Sequence, residues 1–204
     1  MNDDSRDLHG SAPDKSPVAL LVIDVINDLD FPEGDMLLRH AVPMAKKIAS
    51  LKKRAKAADV PVVYVNDNFG LWRSDFRSHV EHCLQEGVRG KPVVELLKPE
   101  HDDYFVLKPK HSGFFSTTLD ILLQRLGARS VIVTGVATNI CVLFTANDAY
   151  MRDLTLIVPS DCSAANTEDD HRYALREMER VLKADVRPSE QISFDELLRP
   201  RPQG

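Results

Sequence analysis

Residues 130–142 read Ser-Val-Ile-Val-Thr-Gly-Val-Ala-Thr-Asn-Ile-Cys-Val, an apolar run followed by a polar segment that contains a glycine and a cysteine. Residues 130–133 form a short apolar, β-branched run, which is typical of a strand buried on both faces. Apolar residues then recur at helical spacing from Val142 onward, so the glycine and polar residues between form a strand-to-helix turn. This predicts Cys141 in the first turn of a helix, where the macrodipole lowers a thiol's pKa below about 8.5. Taken alone, a single cysteine is more often a small core hydrophobe than a nucleophile.

The whole chain has the size and composition of one α/β domain. It has 204 residues, of which 43% are hydrophobic, enough to build a substantial core. We expect a disordered N-terminal tail at residues 1–16, a single domain at 17–199 and a C-terminal tail at 200–204. The net charge of -5, with both signs interspersed, provides no basic stripe for nucleic acid and no polybasic membrane anchor. A small-molecule substrate is therefore the favoured partner.

Cysteine usage and hydrophobic run lengths predict a cytoplasmic protein. The three cysteines are far apart and odd in number, so they form no disulfide framework, and their spacing is not that of a metal site. The first 16 residues lack the apolar core of a signal peptide, and no run of about 18 apolar residues occurs. No membrane partner is expected, and Cys83 and Cys162 are interpreted as inert thiols.

Alternating strand and helix patterns predict a parallel sheet covered by helices. Buried strands are predicted at 18–23, 61–65, 104–107, 130–133 and 154–158. Helices are predicted to begin at Pro43, at Ser116 or Thr117, and at Thr167, with a short one at 75–86. Such βαβ units give an α/β three-layer sandwich with a mostly parallel, doubly wound sheet flanked by helices. The lysines of the first helix are interpreted as a solvated face; they are Lys46, Lys47, Lys52, Lys53 and Lys56.

Asp24, Lys108 and Cys141 each lie just past the carboxyl end of a predicted strand. Ligands bind at that edge of parallel sheets, so we expect the three side chains to converge. Asp24 can serve as general base, Lys108 can supply positive charge, and the backbone amides of residues 137–141 can hold an oxyanion. Singly, a turn would explain the aspartate and a surface ion pair the lysine. Their convergence with a thiol favours a nucleophilic site.

Three ordered blocks of sequence resemble the isochorismatase-like cysteine hydrolase family over nearly all of residues 17–185. The blocks are LLVIDVIND at 20–28, KPKHSGF at 108–114, and TGVATNICV at 134–142 followed by ANDA at 146–149. The resemblance implies that Asp24, Lys108 and Cys141 are the family's catalytic triad. It also implies that the Val136–Ala137 peptide bond is cis and that the amides of Ala137 and Cys141 face the oxyanion.

The resemblance also bears on the reaction type and on metal binding. True isochorismatases cleave a vinyl ether without this cysteine, so Cys141 favours amide hydrolysis. Nicotinamidases bind a metal through an Asp-x-His loop, whereas here Phe69 stands two residues after Asp67, where the histidine would be. We therefore predict no metal and no other cofactor, and we interpret His79 and His82 as a solvated pair.

Loop residues at the catalytic end of the sheet are candidates for substrate binding. They are Phe31, Asn68, Trp72, Arg73, Ser112 and Phe114. A loop tryptophan is also commonly a packing anchor, and Arg73 is either solvated or paired with a substrate carboxylate. Asp161 and His171 are assigned structural roles.

The sequence thus predicts a metal-independent amidohydrolase that cleaves a C–N bond of a small linear or carbamoyl-type amide through an acyl-Cys141 intermediate. Two alternatives stay open. One is an ether hydrolase of isochorismatase type, which would not need the cysteine. The other is a non-catalytic, small-molecule-binding member of the same fold. The resemblance further implies a homodimer or homotetramer.

Overall fold

A computed structural model describes residues 14–68 and 75–199 of the chain. Within these ranges the strands are β1 (Val18–Ile23), β2 (Val62–Asp67), β3 (Tyr104–Lys108), β4 (Ser130–Val136), β5 (Thr155–Ile157) and β6 (Ser163–Ala164). The helices are α1 (Gly34–Ala57), α2 (Phe76–Cys83), α3 (Lys91–Leu96), α4 (Leu119–Leu126), α5 (Leu143–Tyr150), α6 (Glu168–Leu182) and α7 (Phe194–Leu198). A π-helical turn (Thr138–Val142) precedes α5, and a 3-10 turn (Ser189–Gln191) precedes α7.

The strands form one parallel sheet in the order β3-β2-β1-β4-β5, and β6 pairs with the end of β4. The chain runs outward from β1 to β3, then returns to β4 and runs outward in the other direction. The reversal falls between β1 and β4, which pair from Val18 opposite Ser130 to Ile23 opposite Gly135. Such a switch point opens a crevice at the carboxyl ends of the strands. The predicted doubly wound, mostly parallel sheet is confirmed.

Two hydrophobic cores lie on the two faces of the sheet. The even-numbered residues of β1 pack with α1, α3 and α7, while the odd-numbered ones pack with α4, α5 and α6. Every residue of β1 is 0% exposed. Because both faces are covered, the strand is a continuous apolar run rather than an alternating one. This arrangement confirms the predicted three-layer sandwich.

Helix α1 begins earlier than predicted. The sequence places its start at Pro43, whereas the helix begins at Gly34 and contains the proline in its interior. Leu37, Ala41 and Met44 are all buried and recur at helical spacing. Burial of this face therefore outweighs the backbone hydrogen bond that a proline cannot donate.

The lysine-rich face of α1 is not uniformly solvated. Lys52 is 6% exposed, and its Nζ lies 2.6 Å from Oδ2 of Asp103 and 3.1 Å from the Tyr64 hydroxyl. The prediction of a solvated side chain is wrong for this lysine. Helical periodicity assigns a residue to a face, but it does not reveal a carboxylate that a distant loop brings to that face.

Two short elements were not predicted, namely α3 and β6. The strand β6 makes only two pairs, Gly135 with Ser163 and Val136 with Ala164. Segments of this length are too short for hydrophobic periodicity to identify. The predicted cap of α6 is confirmed, because Oγ1 of Thr167 accepts a hydrogen bond from the Asp170 N–H at 3.1 Å. Within the described ranges, no helix combines the length and apolar character needed to cross a bilayer.

Candidate active site

Three side chains predicted to converge do meet at the carboxyl edge of the sheet. Nζ of Lys108 lies 2.8 Å from Oδ2 of Asp24 and 3.6 Å from Sγ of Cys141. Asp24 is 5% exposed and Lys108 0%, and Cys141 is half-buried. The ends of β1 and β3 and the turn after β4 thus place a carboxylate, an ammonium and a thiol together.

The Asp24 carboxylate is fixed from two sides. Its backbone φ of 50° turns the chain out of β1, while its N–H still donates to the Val65 carbonyl at 3.0 Å. Oδ1 accepts a hydrogen bond from the Asp67 N–H at 2.6 Å, and Oδ2 faces Lys108. The carboxylate is therefore held between the ends of β2 and β3.

Lys108 ends the edge strand β3, and its ammonium reaches across the end of β2. Nζ donates to the Lys110 carbonyl at 3.1 Å and lies 3.4 Å from Oδ2 of Asp67. Asp67 is thus a second carboxylate beside the ammonium, a role that the sequence analysis missed. The available signal was its position just past the second predicted strand, at the carboxyl edge of the sheet where Asp24 and Lys108 were also predicted.

Cys141 lies in a π-helical turn rather than in the first turn of an α-helix as predicted. The N–H groups of Ile140 and Val142 both donate to the Ala137 carbonyl, at 3.0 and 3.2 Å. The Val136–Ala137 peptide bond is cis, as the resemblance implies. The turn therefore follows directly on the last residues of β4.

The electrostatics at Cys141 differ from the sequence prediction. Burial and the neighbouring Asp24 carboxylate raise the pKa of Cys141 to about 12, against the lowering effect of Lys108. The predicted lowering of this pKa is therefore wrong in direction, because desolvation of a thiolate outweighs the favourable charge nearby. The resting nucleophile is a thiol.

The two charged partners also have shifted pKa values. Burial raises the pKa of Asp24, although Lys108, Cys141 and the Asp67 amide act to lower it. Burial lowers the pKa of Lys108, but its interactions with Asp24, Cys141 and Asp67 together outweigh burial, and the net pKa is raised. The ammonium therefore stays charged beside a carboxylate whose proton affinity is increased, which suits that carboxylate to act as a general base.

His171 supports the nucleophile turn from α6. Its Nδ1 lies 2.8 Å from Oγ1 of Thr138, and its Nε2 lies 3.0 Å from the Ser160 carbonyl. Because a carbonyl only accepts, Nε2 carries the proton and Nδ1 accepts from the threonine hydroxyl. Burial lowers the pKa of His171, which favours this neutral form. A structural role for His171 was predicted from the sequence, but its link to Thr138, the first residue of the turn, was not.

Side-chain contacts of Ser112 and Phe114 join the loop after Lys108 to α5 and to the residues just after it. The Ser112 hydroxyl donates to Oδ2 of Asp148 at 2.5 Å, and the Arg152 guanidinium lies 4.5 Å from the Phe114 ring centroid. Phe114 is 5% exposed and belongs to the core on the α5 side of the sheet. These contacts hold the loop in place, and contact of either side chain with substrate stays a prediction.

Of the other predicted substrate-binding residues, the structure describes Phe31 after β1 and Asn68 after β2. Phe31 is partly buried against the core on the α1 side. Asn68 donates its backbone N–H to the Lys108 carbonyl at 3.1 Å, which continues the β2–β3 edge by one residue. Trp72 and Arg73 lie outside the described residues, as does Phe69.

His79 and His82 are not a solvated pair as predicted. His79 is 8% exposed, and its Nε2 lies 2.8 Å from the Ile26 carbonyl. His82 is the exposed member, with Nε2 3.3 Å from Oδ2 of Asp28. Across residues 14–68 and 75–199, no group of three or more His, Cys, Asp or Glu side chains is arranged to hold a metal ion.

The fold and this cluster together define an α/β protein with a polar site at the switch point of a parallel sheet. The sequence model of the isochorismatase domain matches residues 18–191. The chain therefore belongs to the isochorismatase family of hydrolases.

The chain is also similar to individual named proteins and solved structures. YaaI, an uncharacterized isochorismatase family protein from Bacillus subtilis (strain 168), is 43% identical over 178 residues, which cover 87% of this chain and 97% of the relative. The ureidoacrylate amidohydrolase RutB from Methylobacterium radiotolerans is 29% identical over 194 residues, covering 82% of this chain and 75% of the relative. Among solved structures, N-carbamoylsarcosine amidase from Thermoplasma acidophilum is similar with a TM-score of 0.66 and 27% identity, covering 86% of this chain and 98% of that chain.

Proposed function

We propose that this protein is a metal-independent amidohydrolase that cleaves the C–N bond of a small ureide or carbamoyl-type amide through an acyl-Cys141 intermediate. The observation that carries the proposal is the buried contact of Lys108 with Asp24 at 2.8 Å and with Cys141 at 3.6 Å. Ureidoacrylate and N-carbamoylsarcosine, after which two relatives are named, both carry a carbamoylated nitrogen and a carboxylate. That shared chemistry supports the proposed substrate class.

In the acylation step, the sulfur of Cys141 forms a bond to the substrate carbonyl carbon while the thiol proton moves to the Asp24 carboxylate. The raised pKa values of both groups favour transfer coupled to attack over a preformed thiolate. The amides of Ala137 and Cys141 are proposed to hold the oxyanion of the tetrahedral intermediate; losing one such donor typically costs about 100- to 1000-fold in rate. Collapse of the intermediate breaks the C–N bond, and Asp24 returns its proton to the leaving nitrogen.

In the deacylation step, water attacks the thioester carbonyl and gives a proton to Asp24. The C–S bond then breaks, and the sulfur recovers the proton as the thiol. The raised pKa of Lys108 keeps its ammonium charged throughout. That charge stabilises the Asp24 carboxylate and the negative charge that develops on sulfur. Ammonia or an amine and the corresponding acid are the products.

Metal independence rests on the sequence of the loop after β2. Phe69 stands where the resemblance places a metal-binding histidine in nicotinamidases, and a phenylalanine has no ligand atom. Asp67 remains, and in this structure it lies beside Lys108. We propose that the role of Asp67 here is electrostatic rather than metal-binding. An assay with a chelator present tests whether activity needs a metal.

The deciding experiment is an ammonia-release screen over small amides, ureides and carbamoyl amino acids, with a chelator present. We expect turnover of a carbamoyl-type compound by the wild type and loss of it in Cys141→Ala and in Asp24→Asn, with substrate binding largely kept. Full activity in either variant would refute the mechanism. Wild-type activity that appears only when the chelator is left out would refute metal independence.

Two additional assays on the same variants identify the alternatives. Hydrolysis of a vinyl ether that survives Cys141→Ala would indicate an ether hydrolase of isochorismatase type. Binding of a ureide without turnover would indicate a non-catalytic member of the family. Because burial raises the pKa of Cys141, slow alkylation at neutral pH does not separate these classes, and turnover is the readout that does.

A further inference from the structure

The carboxamide of Asn66 pairs with the chain just beyond Asp24. Its Oδ1 accepts a hydrogen bond from the Ile26 N–H at 3.1 Å, and its Nδ2 donates to the Ile26 carbonyl at 2.8 Å. Asn66 and Ile26 are both 0% exposed. One side chain thus satisfies both backbone groups of a buried residue, as the edge of a neighbouring strand would.

The need for this pairing arises because β1 ends before β2 does. The last regular pair between them is Ile23 with Val65, and the positive φ of Asp24 then turns the chain away. Ile26 lies beyond the paired residues while remaining fully buried. Buried backbone groups without partners are costly, so the carboxamide from β2 continues the pairing where the strand cannot.

The same segment of β2 also holds the Asp24 side chain. Asp67, the next residue after Asn66, donates its N–H to Oδ1 of Asp24 at 2.6 Å. From the other side, Nε2 of His79 also lies 2.8 Å from the Ile26 carbonyl. Building on the function proposed above, we propose that Asn66 is a positioning residue, which holds the Asp24 turn so that the carboxylate stays in reach of its two partners.

A positioning role has a signature that a loss of stability does not. If Asp24 moves away, Cys141 loses a neighbour that raises its pKa, while Lys108 still lowers it. Chemical alkylation of that thiol should then become faster near neutral pH while turnover becomes slower. General loosening of the fold would instead expose Cys83 and Cys162, which are buried, so that all three thiols would react faster.

The test compares Asn66→Ala and the milder Asn66→Thr with a benchmark and a matched control. Asp24→Asn is the benchmark, because it removes the carboxylate charge itself. Thr134→Val is the control: Oγ1 of Thr134 donates to the Leu21 carbonyl at 2.8 Å, so this variant also removes a buried hydrogen bond to β1, but upstream of Asp24. The rate of iodoacetamide alkylation is measured against pH at each cysteine by mass spectrometry, together with kcat and KM.

We expect Asn66→Ala to lower the pH midpoint of Cys141 alkylation, as Asp24→Asn does. The midpoint of Asn66→Thr should lie between those of Asn66→Ala and the wild type. We expect kcat to fall about 10- to 100-fold with KM changed less than about threefold, since a misplaced base affects the chemical step. Thr134→Val should keep the wild-type midpoint. Wild-type midpoints and turnover in both Asn66 variants, or an equal shift in the control, would overturn the proposal.

The alkylation midpoints and one further measurement keep the outcomes distinct. If the wild type turns over no amide, the proposed function fails, but the alkylation midpoints still decide the role of Asn66. If neither Asn66 variant folds, amide hydrogen exchange of the wild type decides it. The Ile26 amide is expected to be protected as strongly as the amides of β1, and rapid exchange there would overturn the proposal.

Discussion

The Asp24 carboxylate receives a backbone N–H on one oxygen and an ammonium on the other, and it lies beside a thiol with a raised pKa. The meeting of Asp24, Lys108 and Cys141 follows from the sequence, because each residue ends or follows a strand of one parallel sheet. The direction of the Cys141 pKa shift does not follow from it. That direction depends on burial, which local sequence does not fix.

The acid limb of the activity profile tests the Asp24 assignment. Only the ionised carboxylate can accept the thiol proton, so kcat/KM falls as the pH falls through the pKa of Asp24. Burial raises that pKa above its usual 3.8, and the limb should therefore lie above 3.8. The measurement is kcat/KM against pH on the best substrate of the amide screen. A limb at or below the usual value would contradict the assignment.

Gly135 lies where β4 approaches β1 closely, just before the turn that contains Cys141. It has a φ of 111°, and a Cβ there would lie 2.0 Å from the Ile23 carbonyl oxygen. We expect Gly135→Ala to reduce the free energy of unfolding by at least about 2 kcal/mol. Gly127→Ala is the matched control, since its φ is 76° but nothing lies within 4 Å; it should cost about 1 kcal/mol. Equal losses in a denaturant titration would contradict this account.

At the scale of elements, the long and periodic segments were predictable and the irregular ones were not. Strands β1 and β4 and the capped helix α6 follow from apolar runs and the Thr167 cap. The start of α1 was missed because a proline is common in the first turn of a helix, and the sequence pattern places Pro43 there. Burial of the apolar face of α1 instead stabilises a helix that contains Pro43 in its interior. The π-helical turn spans only five residues, too few for periodicity to identify it. The His171–Thr138 contact joins segments far apart in the chain, so local pattern does not reveal it either.

The link between α6 and the nucleophile turn predicts a pH dependence of stability. Because the pKa of His171 is lower in the folded state than its usual 6.5, the unfolded chain takes up the proton first as the pH falls. The stability contributed by neutral His171 is full above 6.5 and is lost below it. We expect His171→Gln to flatten the decline in unfolding free energy on acidification.

The matched control is His101→Gln, at a side chain that is 97% exposed. Unfolding free energies from denaturant titrations, measured at a series of pH values through this window, provide the comparison. The control should keep the wild-type pH dependence. An unchanged slope in His171→Gln would contradict the proposed link.

At the scale of the whole molecule, the three-layer fold was predictable because alternating strands and helices leave few topologies open. Its assembly is a separate prediction from the family resemblance. Exposed apolar side chains on and beside α5 support it, including Phe144 at 51% and Met151 at 72% exposed. We expect light scattering coupled to size-exclusion chromatography to show a homodimer or homotetramer, and a monomer across the concentration range would contradict this.

In the proposed reaction Cys141 carries the acyl group during turnover. The most direct test is to quench the enzyme during turnover of its best amide substrate and to measure the mass of the peptide that contains Cys141. We predict an added mass equal to the substrate's acyl group, confined to Cys141 and lost when substrate is exhausted. In Asp24→Asn this adduct should be absent. Turnover without any adduct, together with retained activity in Cys141→Ala, would contradict the claim.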